Sequence, residues 1–449
     1  MADICIIGGG VTGLTTAYRL MNDHTVMVLE SQSKAGGWLQ SYAHESGVTI
    51  NEAPNGWLDS EPKVFELIQS LGLEHRLIKA APNAKRWIWH CGEMQLVPTS
   101  PPQLLTSPLL SFWSKLRLLI EPFVSSRSPT DESLADFVGR RLGRGVLDTL
   151  VAPMCAGIFA APPENLSAAA AFPLLIELEE KYGSLFKGMR ARRQEGHSAP
   201  HLTSLKGGVG ELSSALASQL NDRIELGQPA LSVQPHQGNW RVHTEDGSID
   251  ADVVVLCCPA YVQSKLLRGS IPELSKLMAE IPYYHAVVAA SVTERSQLMR
   301  PPNGFGILTA RGSELSGALG VLYSSEIFPD YAPTGLTLTR CILGGARYPT
   351  IAQEDQQRIR QRVQTIHETL FDAKGTIDSI DIHTHRRAIP CYDPSHMTRQ
   401  LAIRALQERH PGLYIGGNHI GGIGVKDCIR NAFVLAQQVH HYIYPPTVA

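Results

Sequence analysis

The feature that most constrains this chain is IIGGGVTGLTTAYRL at residues 6–20. The apolar run Ile4–Ile7 is too short for anything but a strand; glycines break it, and Leu14, Ala17 and Tyr18 resume at helical spacing. Strand, tight turn and helix with Gly8, Gly10 and Gly13 in a G-x-G-x-x-G frame fit the dinucleotide fingerprint. The first glycine makes the turn, the second lets a pyrophosphate approach the backbone, and the third packs the helix on the strand. Amides at the helix start then face the phosphates. Alone this frame is a weak signal, since glycine punctuates many turns. Here the next strand, TVMVLE, ends in Glu30, at the spacing of an acid that accepts from a ribose hydroxyl. A second glycine pair, Gly36 and Gly37, stands where a plain NAD domain would be running into a helix.

At 449 residues the chain should form two or three domains. Its 40 basic and 42 acidic residues nearly balance, which argues against a nucleic-acid or other polyanionic partner. Eight scattered cysteines show no CxxC; the adjacent Cys257 and Cys258 would point to opposite faces of a strand, so they read as reduced core residues of a cytoplasmic protein. The first strand begins at residue 3, leaving no room for a signal or transit peptide. The uncharged stretch Met94–Ser114 would be broken as a spanning helix by Pro98, Pro101, Pro102 and Pro108. With KLRLLIEPFV after it, that stretch either rests in a headgroup layer, Phe112 and Trp113 inserted, or packs as an ordinary loop and helix on its own domain.

The dinucleotide unit is discontinuous. After Pro200 come a glycine turn, an amphipathic helix and strands that alternate in WRVHT and are fully apolar in VVVLC. LYIGGNHIGGIGVKDCIRNAFVLAQQV then runs from a strand through glycines into a closing helix. The interval at about 96–200 carries helical periodicity, and that at about 266–385 reads as an antiparallel sheet plus one long helix near EDQQRIRQRVQTIHETLF.

Glu30 followed by SQSKAGGW resembles the extended signature of glutathione-reductase-type FAD proteins, the amine oxidase superfamily in particular, with Lys34 in the basic place. NEAPNGWL resembles the segment that passes the flavin ring, with Asn55 near its reactive face. Over nearly its full length the chain resembles the FAD-dependent, oxygen-using protoporphyrinogen oxidases, through GGGVTGL, ESQSKAGGW, LIQSLGLEHRLI, GELSSAL, GFGIL, LGVLYSSEIFP, ILGG, AIPCYDPSH and GGNHIGGIGVKDCI in that order. The fold this implies is α/β (α+β overall): a Rossmann-like FAD-binding domain (1–80, 201–265 and 386–449) with two insertions. These are a mixed-sheet substrate domain (81–95 and 266–385) and a helical, membrane-facing domain (96–200). The implied reaction is six-electron oxidation of a porphyrinogen, hydride passing from a methylene bridge to the flavin and dioxygen returning hydrogen peroxide.

The resemblance places FAD on Gly8, Gly9, Gly10, Val11, Thr12, Gly13, Glu30, Ser31, Lys34, Gly37, Trp38, Ala53, Pro54, Asn55, Gly56, Ala230, Ile423, Gly424 and Val425. Ala230 would bind the adenine through its backbone, and Met397 stands where some relatives have tryptophan. For the substrate it implies a propionate on Arg86, a macrocycle held between Leu308, Leu322 and Ile342 with Asn55 nearby, and a close backbone at Gly157. A guanidinium fork suits a carboxylate, and a greasy disc suits aliphatic walls. The flavin carries the chemistry, so no catalytic acid, base or metal is expected; His383 and His385 read as ordinary strand residues, and His419 lies near the flavin-binding loop. Dioxygen, a membrane surface, hand-over to a ferrochelatase and a homodimer come with the same resemblance. Rival readings are coproporphyrinogen III oxidation, a flavin amine oxidase, a carotenoid desaturase and a catalytically silent FAD-binding scaffold. Only Lys85 accompanies Arg86, which leans towards protoporphyrinogen with its two propionates.

Overall fold

The computed structural model describes residues 2–81, 84–126, 132–196, 199–377 and 379–445. Its first body is built on parallel strands in the spatial order Ile224–Leu226, Val26–Glu30, Ala2–Ile7, Gly247–Leu256 and Leu413–Ile415. The centre of this parallel part is buried on both faces, while Asn239–Thr244 and Ala230–His236 continue the sheet antiparallel from Gly247–Leu256. Ile4, Ile6, Val28, Val253 and Val255 pack under the helices Val11–Leu20, Gly210–Leu220 and Val425–Ile443. Alternate residues Cys5, Ile7, Leu29, Val254 and Leu256 face the other way. Cys257 and Cys258 fall in these two opposite clusters, and all eight cysteines are free thiols.

The expected boundary near 266 falls within the helix Ala260–Leu267. Helices Ala260–Leu267 and Pro272–Ala279 belong to the first body, because Leu266, Leu267, Ile271, Leu274 and Met278 pack into the cluster beneath its sheet. The strand Ser379–Pro390 likewise runs past 385 as the edge of the second sheet.

That second sheet has seven strands, ordered Ser379–Pro390, Tyr283–Glu294, Leu336–Gly344, Ala318–Leu322, Gly306–Thr309, Arg86–His90 and Glu93–Leu96. Its strands from Tyr283 onward pair antiparallel with one another, and the sheet is mixed, as expected, through one seam: Gly306–Thr309 pairs in parallel with Arg86–His90, a strand that arrives from far earlier in the chain. Helix Gln356–Phe371 covers one face through Ile359, Val363, Ile366 and Leu370, against Val287, Ala289, Cys341 and Leu343. Alternation sends Leu308, Leu322, Arg340 and Ile342 to the opposite face.

His367 lies buried behind this sheet, hydrogen-bonding through Nδ1 to Val363 O and through Nε2 with the Ser291 and Thr339 hydroxyls. Burial pushes its pKa down from 6.5 to about 4. The unfolded chain therefore binds the extra proton between those values, so stability present above pH 6.5 is lost as the pH falls towards 4. The contribution is about 3 kcal/mol. The expected result is a melting temperature that drops over this window and drops less steeply in His367→Asn; equal slopes would refute it.

Candidate active site

The first glycine run behaves as its chemistry demands. Gly8 turns with φ +109°, and a Cβ there would lie 2.8 Å from the Cys258 amide nitrogen. At Gly13 the added carbon would sit on the Gly8 carbonyl oxygen, 2.0 Å away, so no side chain fits between helix and strand. Gly10 is different: a Cβ there meets nothing within 4 Å. It caps the helix Val11–Leu20 with no side-chain hydrogen bond, and no acid stands in the first turn. The amides of Val11, Thr12 and their neighbours thus open on a cradle suited to a diphosphate.

Glu30 lies at the edge of this cradle. Its carboxylate accepts from Gly9 N at 2.7 Å and Gln32 N at 2.8 Å, with the Ser31 hydroxyl at 3.3 Å. The second glycine pair docks on the first: Gly36 N donates to Gly9 O at 2.7 Å, and a Cβ on Gly37 would lie 3.1 Å from Gly10 Cα. Gln228 N donates to Glu30 O, which brings the loop before Ala230 alongside the same edge. Gly424 heads the helix Val425–Ile443 without a side-chain cap, and Val425 shares an apolar cluster with Val11, so two helix starts lie side by side. Lys34 is exposed, and Trp38 stands edge-on to His385 at 4.6 Å, lining a cavity of about 610 Å³ with Tyr261, Arg386 and Arg387.

Residues 53–56 lead from this cradle to the second sheet. Gly56 passes so close to Thr203 that a Cβ would lie 2.4 Å from its carbonyl oxygen. After Pro54, Asn55 is buried, its Oδ1 accepting from Arg340 Nη1 at 3.1 Å and from the Ser324 hydroxyl at 3.4 Å. The Asn55 Nδ2 group has no hydrogen-bond partner among the described residues. Ala53 O accepts from Arg340 Nη2 at 2.6 Å.

Register places the remaining expected residues on one sheet face. Gly306 pairs with both Arg86 and Leu322, and Leu322 with Arg340, giving one row across four strands. The neighbouring row runs Ile88, Leu308, Gly320 and Ile342. Leu308, Leu322 and Ile342 are half-buried. Gly157, on helix Ala152–Phe159, faces this row: a Cβ on it would lie 2.7 Å from Leu308 Cδ2. Arg86 is exposed at the far end, its guanidinium 4.9 Å over the Phe305 ring. Three strand spacings, about 14 Å, separate its backbone from that of Arg340.

The family model of flavin-containing amine oxidoreductases matches residues 11–440. The chain belongs to that family. This flavin-containing oxidoreductase is 30% identical to the Homo sapiens protein named protoporphyrinogen oxidase, over 95% of this chain and 96% of that one. It is 29% identical to the Arabidopsis thaliana protein named protoporphyrinogen oxidase 2, covering 98% and 94%. Among solved structures it superposes on a protein from Exiguobacterium sp. 255-15 assigned as a protoporphyrinogen oxidase, with TM-score 0.84, 24% identity and coverage of 97% and 98%. A reduced UDP-galactopyranose mutase shares the fold at TM-score 0.75 and 15% identity, covering 100% and 96%.

As a member of this family the chain is an FAD-dependent oxidoreductase. The open space at Gly10 and the unpartnered amide of Asn55 fit that cofactor. Reading the sequence did not single out Arg340, Gly320 or Ser324. The available signal was an arginine inside the apolar alternation LTLTRCILGG, where a core strand has no reason to hold a charge. His419 is fully buried, with neither ring nitrogen hydrogen-bonded among the described residues, and burial pushes its pKa down to about 3, so its imidazole is neutral at physiological pH. His383 and His385 sit on one strand face beside Glu52, and no group of three metal-ligating side chains occurs among the described residues.

Proposed function

We propose that the chain oxidises protoporphyrinogen IX to protoporphyrin IX, three dioxygen molecules taking up six electrons and six protons as three molecules of hydrogen peroxide. The observation that carries this is the aliphatic sheet face of Leu308, Leu322 and Ile342, bounded by an exposed arginine at one end and by Asn55 at the other. The names of the human and plant relatives support the same substrate. Bound FAD supplies a two-electron acceptor, used once for each pair of hydrogens removed. The protein's part is to orient a floppy apolar disc and exclude water. Leu308, Leu322 and Ile342 give it a dry wall, Gly157 lets it approach the helix Ala152–Phe159, and Arg86 holds a propionate in its fork. Steady-state turnover of protoporphyrinogen IX and coproporphyrinogen III, followed by porphyrin fluorescence, tests the substrate. Protoporphyrinogen should be preferred, because the segment that carries Arg86 offers the four propionates of the alternative only Arg86 and the preceding Lys85; a tenfold preference for coproporphyrinogen would overturn the choice.

Arg86→Ala should raise KM by about tenfold, the lower end of a charge-assisted hydrogen bond, because the guanidinium is exposed to solvent. FAD content should not change. An unchanged KM removes Arg86 from the site.

We also propose that the helix Phe112–Leu119 and the turn after it rest in a lipid headgroup layer. Phe112, Trp113 and Phe123 are 70%, 73% and 86% exposed, and Leu119 is 63% exposed. Aromatic side chains beside a cation such as Lys115 suit that interface. No helix among the described residues is long and apolar enough to cross a membrane. Co-sedimentation with anionic vesicles should be lost in Trp113→Glu/Phe123→Glu; equal sedimentation of both proteins would refute this.

A further inference from the structure

Arg340 is a charged side chain in an apolar sheet, fully buried on the strand Leu336–Gly344. Among the described residues it forms no ion pair. Its Nη1 and Nη2 donate to Asn55 Oδ1 and Ala53 O, while Nε has no partner among the described residues. Acids on adjoining elements are engaged elsewhere: Asp381 accepts from the Tyr42 hydroxyl at 2.8 Å, and Glu52 lies 3.9 Å from His383. Tyr42, Tyr331 and His383 also face the guanidinium, and none of them neutralises it. Burial pushes the Arg340 pKa down, though only to about 10, so it keeps its charge at neutral pH. An uncompensated buried cation is unfavourable for the fold alone.

The hydrogen bonds also settle the direction of Asn55. Guanidinium groups only donate, so the amide end that meets Arg340 must be the oxygen. The NH₂ end is thereby turned away from the arginine, which leaves it the unpartnered group noted above.

We propose that Arg340 is a positioning residue for the flavin: it fixes Asn55 with its NH₂ end towards the bound FAD and places a net positive charge beside the ring, raising its reduction potential. Charge near the ring nitrogens is one of the levers by which a protein tunes such a cofactor, and reduced flavin is the more anionic state. This rests on the placement of Asn55 beside the flavin. It does not depend on which porphyrinogen is oxidised.

The test is the midpoint potential of the FAD-loaded protein, titrated anaerobically with dithionite against a reference dye, with no porphyrinogen present. Arg340→Gln keeps hydrogen-bond donors and loses the charge. Asn55→Asp leaves Arg340 intact and gives it an anion. Each variant should lower the potential, the double variant should lower it less than the sum of the two, and Arg340→Lys should stand closer to the parent than Arg340→Gln. Where Arg340→Gln does not fold, Asn55→Asp decides alone. An unchanged potential in Asn55→Asp carrying its full complement of FAD would overturn the inference. A colourless parent protein would instead refute the FAD assignment itself.

Discussion

Gly10→Val is expected to give a folded, colourless protein. Gly10 has φ −76° and ψ 177°, an extended conformation open to any residue, and a Cβ added there meets no protein atom within 4 Å. The first side-chain carbon is therefore accommodated. The side chain fills the space ahead of the helix Val11–Leu20 in which a diphosphate would meet the backbone amides. Losing two charge-assisted hydrogen bonds, at about 1.5–3 kcal/mol each, weakens FAD binding by roughly 10²–10⁴. The melting temperature of the FAD-free variant should match that of the FAD-free parent. Gly13→Ala is the control, because its Cβ would lie 2.0 Å from the Gly8 carbonyl oxygen and must displace the helix from the sheet. It should lose stability and FAD together. FAD affinity by flavin-fluorescence titration, read beside thermal unfolding, separates the two; full FAD binding by Gly10→Val would contradict the cradle.

Gly157→Leu should do the converse, leaving FAD bound while abolishing porphyrinogen oxidation. Even the first side-chain carbon would lie 2.7 Å from Leu308 Cδ2, so Leu308 must swing aside, and three further carbons then enter the space over Leu308 and Gly320. A disc held against that face is pushed off it. Displacement of a reacting centre by about 1 Å lowers rates on the order of 10²-fold. Turnover should fall at least that far at saturating substrate, with an unaltered visible flavin spectrum. A variant retaining a tenth or more of parental kcat/KM would place the substrate elsewhere.

The nucleotide cradle was legible because each of its glycines answers to local chemistry: a positive φ at Gly8, a carbonyl in contact at Gly13, and an opening at Gly10. Chain topology was harder to read. The parallel pairing of Arg86–His90 with Gly306–Thr309 joins segments more than two hundred residues apart, and nothing in either stretch announces its partner. At the boundary near 266 the signal existed: Leu266, Leu267, Ile271, Leu274 and Met278 form an apolar stripe that has to be buried, and the first body is what buries it. Arg340 escaped notice because a single charge within an alternating strand ordinarily marks the solvent face. Only the register shows that its face is the interior one, looking onto Asn55.

Anaerobic mixing of the FAD-loaded protein with protoporphyrinogen IX tests the account most directly. Bleaching of the flavin's visible absorbance, followed by its return and by porphyrin fluorescence when air is admitted, is the result expected of an oxidase. A yellow protein whose absorbance does not change on mixing would contradict it.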